Sequence, residues 1–283
     1  MTAEQLSRLI GTNVTTYEPV GGGDICTANR ARLEDGRMVF VKSLDPAPDG
    51  FFSAEAAGLC WLASAAGGVP TPGVVAHNDS HLVLDWIAPG PPTPAAADRF
   101  GRALAVTHRT GAEVFGIPGR GAWIGTLPLA TGPWDSWPAM WVDGRVLPFL
   151  RAAVDSGSIK AKDAYDVERL LGRIDQYAGE PEPPSLIHGD LWAGNVVWSS
   201  EGTAYLVDPA THGGHRETDL AMLDLFGLPH LDRVIAAYHE VAPLADGWRD
   251  RRALHQLHPV LVHAVLFGGS YGIQAGRLAR SLS

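Results

Sequence analysis

LIHGDLWAGNVVW, residues 186–198, is the stretch on which the reading of this chain turns. An apolar run leads into His188-Gly189-Asp190, Asn195 follows five residues after the Asp, and the chain then turns apolar again. Short apolar runs bounded by turn residues predict a strand, a loop and a second strand. The loop therefore holds an acid and an amide at a fixed spacing between two anchored strands.

A phosphoryl-transfer site needs few groups: a carboxylate to orient and deprotonate the attacking hydroxyl, oxygen ligands for Mg²⁺, and cations on the phosphates. Asp190 fits the first role and the amide of Asn195 the second, at the Asp-to-Asn spacing of the kinase catalytic loop. Mg²⁺ takes hard oxygen ligands, which Asn and Asp supply. A second carboxylate, Asp208, ends the apolar run AYLVD thirteen residues after Asn195. Alone it would read as a turn residue; with HGDLWAGN upstream it reads as the second metal ligand.

Upstream, MVFVKS (38–43) puts Lys42 in an alternating strand, the context of a phosphate-binding lysine, and Glu55 lies thirteen residues later near the start of a helix. Paired, they would hold the lysine toward the phosphates. Singly, each reads as a solvated surface charge. Gly21, Gly22 and Gly23 fall between two strand-like runs, where missing Cβ atoms let backbone N–H groups approach phosphate. The backbone of Asp85, Trp86 and Ile87, at the end of LVLDWI, is placed to bond the adenine edge by position alone. His188 is expected to brace the loop and not to move protons, since Asp190 fills that role. Asp219, at the start of a helix in HRETDLAM, is expected to cap that helix or to accept loop N–H groups.

Outward from these residues the pattern divides. TAEQLSRLI predicts a short helix with Thr2 as N-cap and Gln5 as its reciprocal partner. Residues 25–34 and 37–43 predict paired strands around Asp35-Gly36. FFSAEAAGLCWLASAAG (51–67) predicts a helix stopped by Gly67-Gly68. VVAHNDSHLVLDWI (74–87) predicts a second hairpin turning at Asn78-Asp79. APGPPTP (88–94) holds four prolines and is a stiff connector. Beyond it come helices over 95–110, 138–155 and 159–178, a loop-like segment over 116–137, a β-like section over 185–208 and helices in the last 65 residues or so. The expected fold is α+β, bilobal and kinase-like. Its N-terminal nucleotide-binding lobe, residues 1–87, is an antiparallel sheet with one main helix. A linker, 88–94, leads to a mostly helical catalytic and acceptor-binding lobe, 95–283.

Composition sets the bounds. The 283 residues are 46% hydrophobic and 19% charged with a net charge of -9, enough to bury a core and too acidic to coat nucleic acid or anionic membrane. Two cysteines, Cys26 and Cys60, make no disulfide framework. The N-terminus lacks the apolar core of a signal peptide. PVLVHAVLFGGSYGIQA (259–275) carries His263, paired glycines and Gln274, so a buried helix is expected and not a membrane span. A cytoplasmic protein follows as the expectation, monomer or dimer being open.

Read together, GGGDI (21–25), VFVK (39–42), AEAAGL (54–59), LVLDWI (82–87), FGRALAVTHR (100–109), IGTLP (124–128), HGDLWAGN (188–195), VDPA (207–210), GHRETDLAM (214–222) with the LFG that follows, and LHPVLVHAVLFG (257–268) resemble the fructosamine kinases, or ketosamine 3-kinases, in order across almost the whole chain. That family lies in the aminoglycoside-phosphotransferase-like branch of the kinase fold. Trp192 and GHRETDLAM narrow the match to it. The resemblance implies transfer of the γ-phosphate of ATP to the 3-hydroxyl of a small ketosamine such as a fructosamine or ribulosamine, which frees the amine and repairs glycation. The family often carries an acidic residue and Asn before the IG of IGTLP; Gly121-Ala122-Trp123 stand here, which puts the acceptor in question and not the reaction type.

Of nine tryptophans, Trp123, Trp134, Trp137 and Trp141 crowd into nineteen residues. Indole stacks on the C–H faces of sugars, so Trp123, Trp137 and Trp141, with Trp192, are expected at the acceptor; packing of the segment onto the helical lobe is an equal reading. Asp143 and Arg145 are further candidates to reach a polyol. Cys26, beside the glycine loop, reads either as an oxidisable thiol or as an inert strand residue. His212, His215, His255, His258 and His263 read as packing or loop residues and not as a zinc site. Two rivals stand beside the ketosamine reading. One is an aminoglycoside or other amino-alcohol phosphotransferase of the same fold. The other is a pseudokinase, which would lack one of Lys42, Asp190, Asn195 and Asp208.

Overall fold

The structure is a computed structural model that describes residues 2–21, 25–117, 119 and 121–282. Helix α1 (Ala3–Ile10) precedes strands β1 (Val14–Pro19), β2 (Thr27–Leu33) and β3 (Met38–Ser43). Helix α2 (Phe51–Ala63), strands β4 (Val74–Asn78) and β5 (His81–Asp85) and helix α3 (Pro94–Thr110) follow. The five strands form one antiparallel sheet in the order β1-β2-β3-β5-β4.

Local chemistry sets these elements. Thr2 and Gln5 exchange the two bonds of a capping box on α1. Gly36 takes φ +87° at the β2–β3 turn, and Asp35 Oδ1 accepts from the Arg37 amide at 3.0 Å. Asn78 Oδ1 accepts from the Ser80 amide at 3.0 Å, closing the β4–β5 turn. Strand alternation sorts the side chains into two layers. Ala31, Leu33, Val39, Val41 and Val83 pack with Leu6 of α1 on one face. Leu82 and Leu84 pack with Phe51, Phe52 and Leu59 of α2 on the other. Lys42, one residue past Val41, must therefore face α2. Helix α2 ends at Ala63, short of the expected Gly67, because the amides of Ser64 and Ala65 bond three residues back, to Trp61 and Leu62, and tighten the last turn.

The proline run 88–94 is tied down. Gly90 N donates to Trp198 O and Ser200 N to Ala88 O, both at 2.8 Å, and Thr93 caps α3 with Pro94 at its start. After α3 come the two-residue strands β6 (Trp123–Ile124) and β7 (Leu127–Pro128), then one bent helix. That helix is α4 (Trp137–Ala139), a π-turn (Met140–Val146) and α5 (Leu147–Asp155). Pro148 has no amide to give the Gly144 carbonyl; Arg145 Nη1 donates to it instead at 3.0 Å. Helix α6 (Ala161–Leu171) breaks at Gly172 into a 3₁₀ turn, Ile174–Gln176, where one longer helix was expected.

Strands β8 (Ser185–Ile187), β9 (Val196–Trp198), β10 (Ala204–Leu206) and β11 (His212–Gly214) pair as β8–β11 and β9–β10. Helices α7 (Arg216–Leu225), α8 (Leu231–Val241), α9 (Arg252–Phe267) and α10 (Tyr271–Ser281) complete the chain. Gly101 brings α3 onto α8: a Cβ there would lie 2.2 Å from the Val234 carbonyl. The apolar 259–275 stretch is divided between α9 and α10 by Gly268 and Gly269, at φ +66° and +65°. No helix among the described residues is long and apolar enough to cross a membrane.

Candidate active site

Strand β8 delivers His188-Gly189-Asp190 to the floor of a cleft of about 660 Å³. Gly189 turns at φ +81°, and a Cβ there would sit 2.4 Å from the Ala210 carbonyl, so only glycine fits. Asp219, at the start of α7, holds this loop from beneath. Its Oδ2 accepts from the His188 amide (2.8 Å) and its Oδ1 from the Gly189 amide (2.9 Å). His188 is buried and neutral: its Nδ1 accepts from the Asp190 amide at 3.2 Å and its Nε2 donates to Val207 O at 2.8 Å. It thus braces the loop against the strand that carries Asp208. Burial also pushes its pKa down.

Asn195 closes the loop from the other side. Its Nδ2 donates to Asp190 O at 2.8 Å and to Asp190 Oδ2 at 3.3 Å, which leaves the amide oxygen as the end to offer a ligand. Asp208 takes φ +54°, a left-handed conformation uncommon for a residue other than glycine. Across the cleft Lys42 Nζ bonds both Glu55 oxygens (3.0 and 2.9 Å) and Asp208 Oδ1 (2.9 Å). Helix α2 is docked for this contact by Gly58, whose carbonyl accepts from Thr211 Oγ1, three residues past Asp208, at 3.3 Å.

Charge is concentrated here. Burial, then the Asp208 charge, pushes Asp190 up to about 7. Burial opposes ionisation of Asp208 as well, but Lys42 outweighs it and holds Asp208 below the usual range. Burial lifts Glu55 to about 7, with Lys42 opposing. Lys42 itself stays a cation: burial disfavours its charge, and the two carboxylates more than restore it. The donor set of Asn195 and Asp208 consists of hard oxygens beside a recessed cation, which fits Mg²⁺ and not a soft metal.

The other expected residues fall less uniformly. Trp123 lines the cleft, 6.3 Å from the Phe51 ring, and its indole N–H has no partner among the described residues. Trp192 lines it too, folded over Gly194, where a Cβ would meet the indole at 2.2 Å. Trp137 and Trp141 do not reach the cleft. They are buried in the helical core, stacked at 5.4 Å, with Trp137 against His255 at 4.7 Å. Arg145 is buried with them. Asp85, Trp86, Ile87 and Gly21 are not among the cleft's lining residues. The Asp85 and Trp86 amides are already spent on Gly73 O (2.9 Å) and Met38 O (3.1 Å), so these two N–H groups are closed to adenine. Gly22 and Gly23 lie outside the described residues. Cys26 lines the cleft, but burial pushes its thiol up to about 11 despite Lys42, which makes it a poor nucleophile.

Two sets of residues emerge that the motifs did not reveal. His108 on α3 donates from Nε2 to Asp219 Oδ2 at 3.0 Å and accepts from Tyr238 Oη of α8 at 2.9 Å. The catalytic loop is thereby tied to two helices, across separations of 111 and 130 residues. Phe226, Phe267 and Tyr271 extend the cleft wall beyond Trp192. His215, Glu217 and His255 do converge, their potential ligand atoms lying within 4.8 Å of one another. Yet His215 Nδ1 accepts the Glu217 amide at 3.2 Å, so its Nε2 carries the proton, and Arg251 takes both Glu217 oxygens at 2.9 and 2.7 Å. Arg251 and the His215 tautomer thus occupy most of the cluster's polar atoms, while His255 Nε2, 3.3 Å from Glu217 Oε2, has no hydrogen-bond partner among the described residues.

Compared with known families, residues 1–282 match the model of the fructosamine kinases. The chain belongs to the fructosamine kinase family. It is a phosphotransferase of an ATP-using kinase family, with the α+β kinase-like fold expected from sequence. The family's curated members include provisionally assigned ketoamine kinases. That of Thermus thermophilus is 34% identical, covering 94% of this chain and 92% of its own. That of Enterococcus faecium is 33% identical, with 92% of each chain covered. A solved, provisionally assigned fructosamine-3-kinase of Thermobifida fusca superposes with a TM-score of 0.94 at 48% identity, covering 99% of this chain and 98% of that one. The choline kinase LicA of Streptococcus pneumoniae shares the kinase's fold at a TM-score of 0.62 and 17% identity, with 99% and 96% covered.

Proposed function

We propose that the protein transfers the γ-phosphoryl group of ATP to the 3-hydroxyl of a small ketosamine, such as a fructosamine or ribulosamine, and so serves deglycation. The observation that carries this reading is the meeting of Lys42, Glu55, Asp190, Asn195 and Asp208 on one cleft whose remaining wall is mostly apolar, with several aromatic rings.

Each residue has a task that its surroundings suit. Lys42, held by Glu55, lies against the α- and β-phosphates. Asn195 and Asp208 would hold Mg²⁺, which would supply neutralising charge to the phosphates. Asp190 Oδ2 is kept in place by Asn195 and accepts the proton of the acceptor hydroxyl as its oxygen bonds to Pγ and the bond from Pγ to the β-phosphate oxygen breaks. A pKa pushed up toward neutrality makes Asp190 a competent base at ordinary pH. Trp123 and Trp192 offer indole faces to the sugar. His188, Asp219 and His108 fix the loop.

A coupled ADP-release assay tests this with fructose-lysine, ribulose-lysine and an aminoglycoside as acceptors. Turnover of a ketosamine is expected. Turnover of the aminoglycoside alone would move the enzyme to the amino-alcohol phosphotransferases.

A further inference from the structure

The cleft does not end at the catalytic residues. From Trp192 its wall runs on through Phe226 (ring centroids 6.0 Å apart) to His263 (5.2 Å), which in turn meets Phe267 at 5.5 Å and Tyr271 at 5.0 Å. Three of these rings are open to solvent: Trp192 at 38%, Phe226 at 40% and Phe267 at 51%. Large aromatic side chains grouped in the open around one concavity mark a binding surface, because leaving them in water is costly. Val262 and Leu266 fill in between them.

The charge pattern of the lining is the second observation. Among the described lining residues the acids and the lysine are Glu55, Asp190, Asp208 and Lys42, all committed to the phosphoryl-transfer end. Among the described residues that line the aromatic end there is neither a carboxylate for an ammonium group nor a lysine or arginine for a carboxylate. His263 gives its Nδ1 hydrogen to Pro259 O at 2.7 Å and sits among three aromatic rings. A zwitterionic amino-acid head laid on this wall would shed water against aromatic rings and meet no lysine, arginine or carboxylate among the described lining residues. An apolar or aromatic group would bury its surface there.

We infer that this wall reads the amine half of the acceptor, and that the kinase prefers ketosamines whose amine carries an apolar or aromatic substituent over those built on a free, zwitterionic amino acid. The inference rests on the proposed function. That reading sets the sugar hydroxyl at Asp190; this one sets what lies beyond the amine. Phe226, Phe267 and Tyr271 are its specificity determinants.

The test compares three adducts of one ketose: with benzylamine, with the side chain of free lysine, and with the same lysine blocked as its Nα-acetyl methylamide. The blocked compound keeps the shape of the lysine adduct and removes both head charges. Benzylamine and blocked-lysine adducts should exceed the free-lysine adduct in kcat/KM by about tenfold or more. In Phe226→Ala/Phe267→Ala that ratio should fall toward one, with KM for ATP unchanged. Both side chains are substantially exposed, so the double variant is expected to fold, which a thermal melt checks. Equal or better use of the free-lysine adduct, or a ratio unmoved in the double variant, overturns the inference while leaving the reaction standing. Turnover of none of the three fails the ketosamine reading itself, and the inference falls with it.

Discussion

Replacing Asp219 by Asn probes the support of the catalytic loop without touching the cleft. The carboxylate accepts three donors, the amides of His188 and Gly189 and Nε2 of His108. Those bonds, led by His108 and set against the cost of burial, hold its pKa below the usual range, so it is an anion in the folded protein. Asn keeps one oxygen. The oxygen facing two donors is the one to keep, which turns the new NH₂ toward the Gly189 amide. One charge-assisted bond is then lost outright, at about 2 kcal/mol, and two others weaken by somewhat less than 1 kcal/mol each. The sum is about 3–4 kcal/mol, or a fall in Tm of about 6 °C for a chain of this size. The same change frees Gly189, and with it Asp190, so kcat should fall while KM for ATP holds. Calorimetric melting and steady-state kinetics on one preparation measure both. A melting point within 2 °C or so of wild type would refute the claim that Asp219 carries the loop.

Other outcomes follow from the same geometry. Asp208→Ala should abolish Mg²⁺-dependent nucleotide binding, and an unchanged Mg²⁺ titration by calorimetry would contradict the metal assignment. His108→Phe should lower kcat by about tenfold or more and leave ATP affinity in place, whereas His108→Gln, which keeps a donor toward Asp219, should recover part of the loss. Equal kinetics for the two variants would sink that role. Burial lowers His212 and His215 to about 3, while an unfolded histidine titrates near 6.5. The unfolded chain therefore takes up protons that the folded chain refuses, so stability is full above the unfolded value and falls as the pH drops from there toward 3. By pH 5 each of these two histidines should have cost about 2 kcal/mol, a cost that Asp190 and Glu55 oppose because their raised values favour the folded chain as the pH falls. The imidazole NMR shifts of the folded protein read the histidines directly and should hold their neutral positions from about pH 7.5 to about pH 5. Titration of either ring over that range would mean that the histidines are not held neutral.

Much of the site was legible because its parts are local in sequence. HGDLWAGN places Asp190 and Asn195 within one loop, and strand alternation around Val41 fixes the face on which Lys42 meets Glu55. The acceptor wall was not legible in the same way. Trp137 and Trp141 are four residues apart, which puts them on one helix face, and that spacing suits a core stripe as well as a cavity wall. Nothing local distinguishes the two, because the choice depends on which face the π-turn above Pro148 presents to α9. That Phe226, Phe267 and Tyr271 meet on one cleft is a tertiary property that no local pattern carries. His108 and Tyr238 were invisible for another reason: their partners lie over a hundred residues away. Position alone does not report that the amides of Asp85 and Trp86 are used within the sheet lobe, which leaves their carbonyls and the Ile87 backbone as the part of that segment open to an adenine edge.

The central claim is that Asp190 takes the proton of a ketosamine 3-hydroxyl as that oxygen attacks the γ-phosphorus. The most direct measurement is ³¹P and ¹H NMR of the product formed from ATP and a ketosamine by the wild-type protein and by Asp190→Asn, with ATP binding measured on both. The account predicts phosphate on O3 with the wild type. For the variant it predicts ATP affinity near wild type and turnover lower by about three powers of ten or more. Phosphate on another oxygen, or a variant that loses ATP affinity and turnover together, would contradict it.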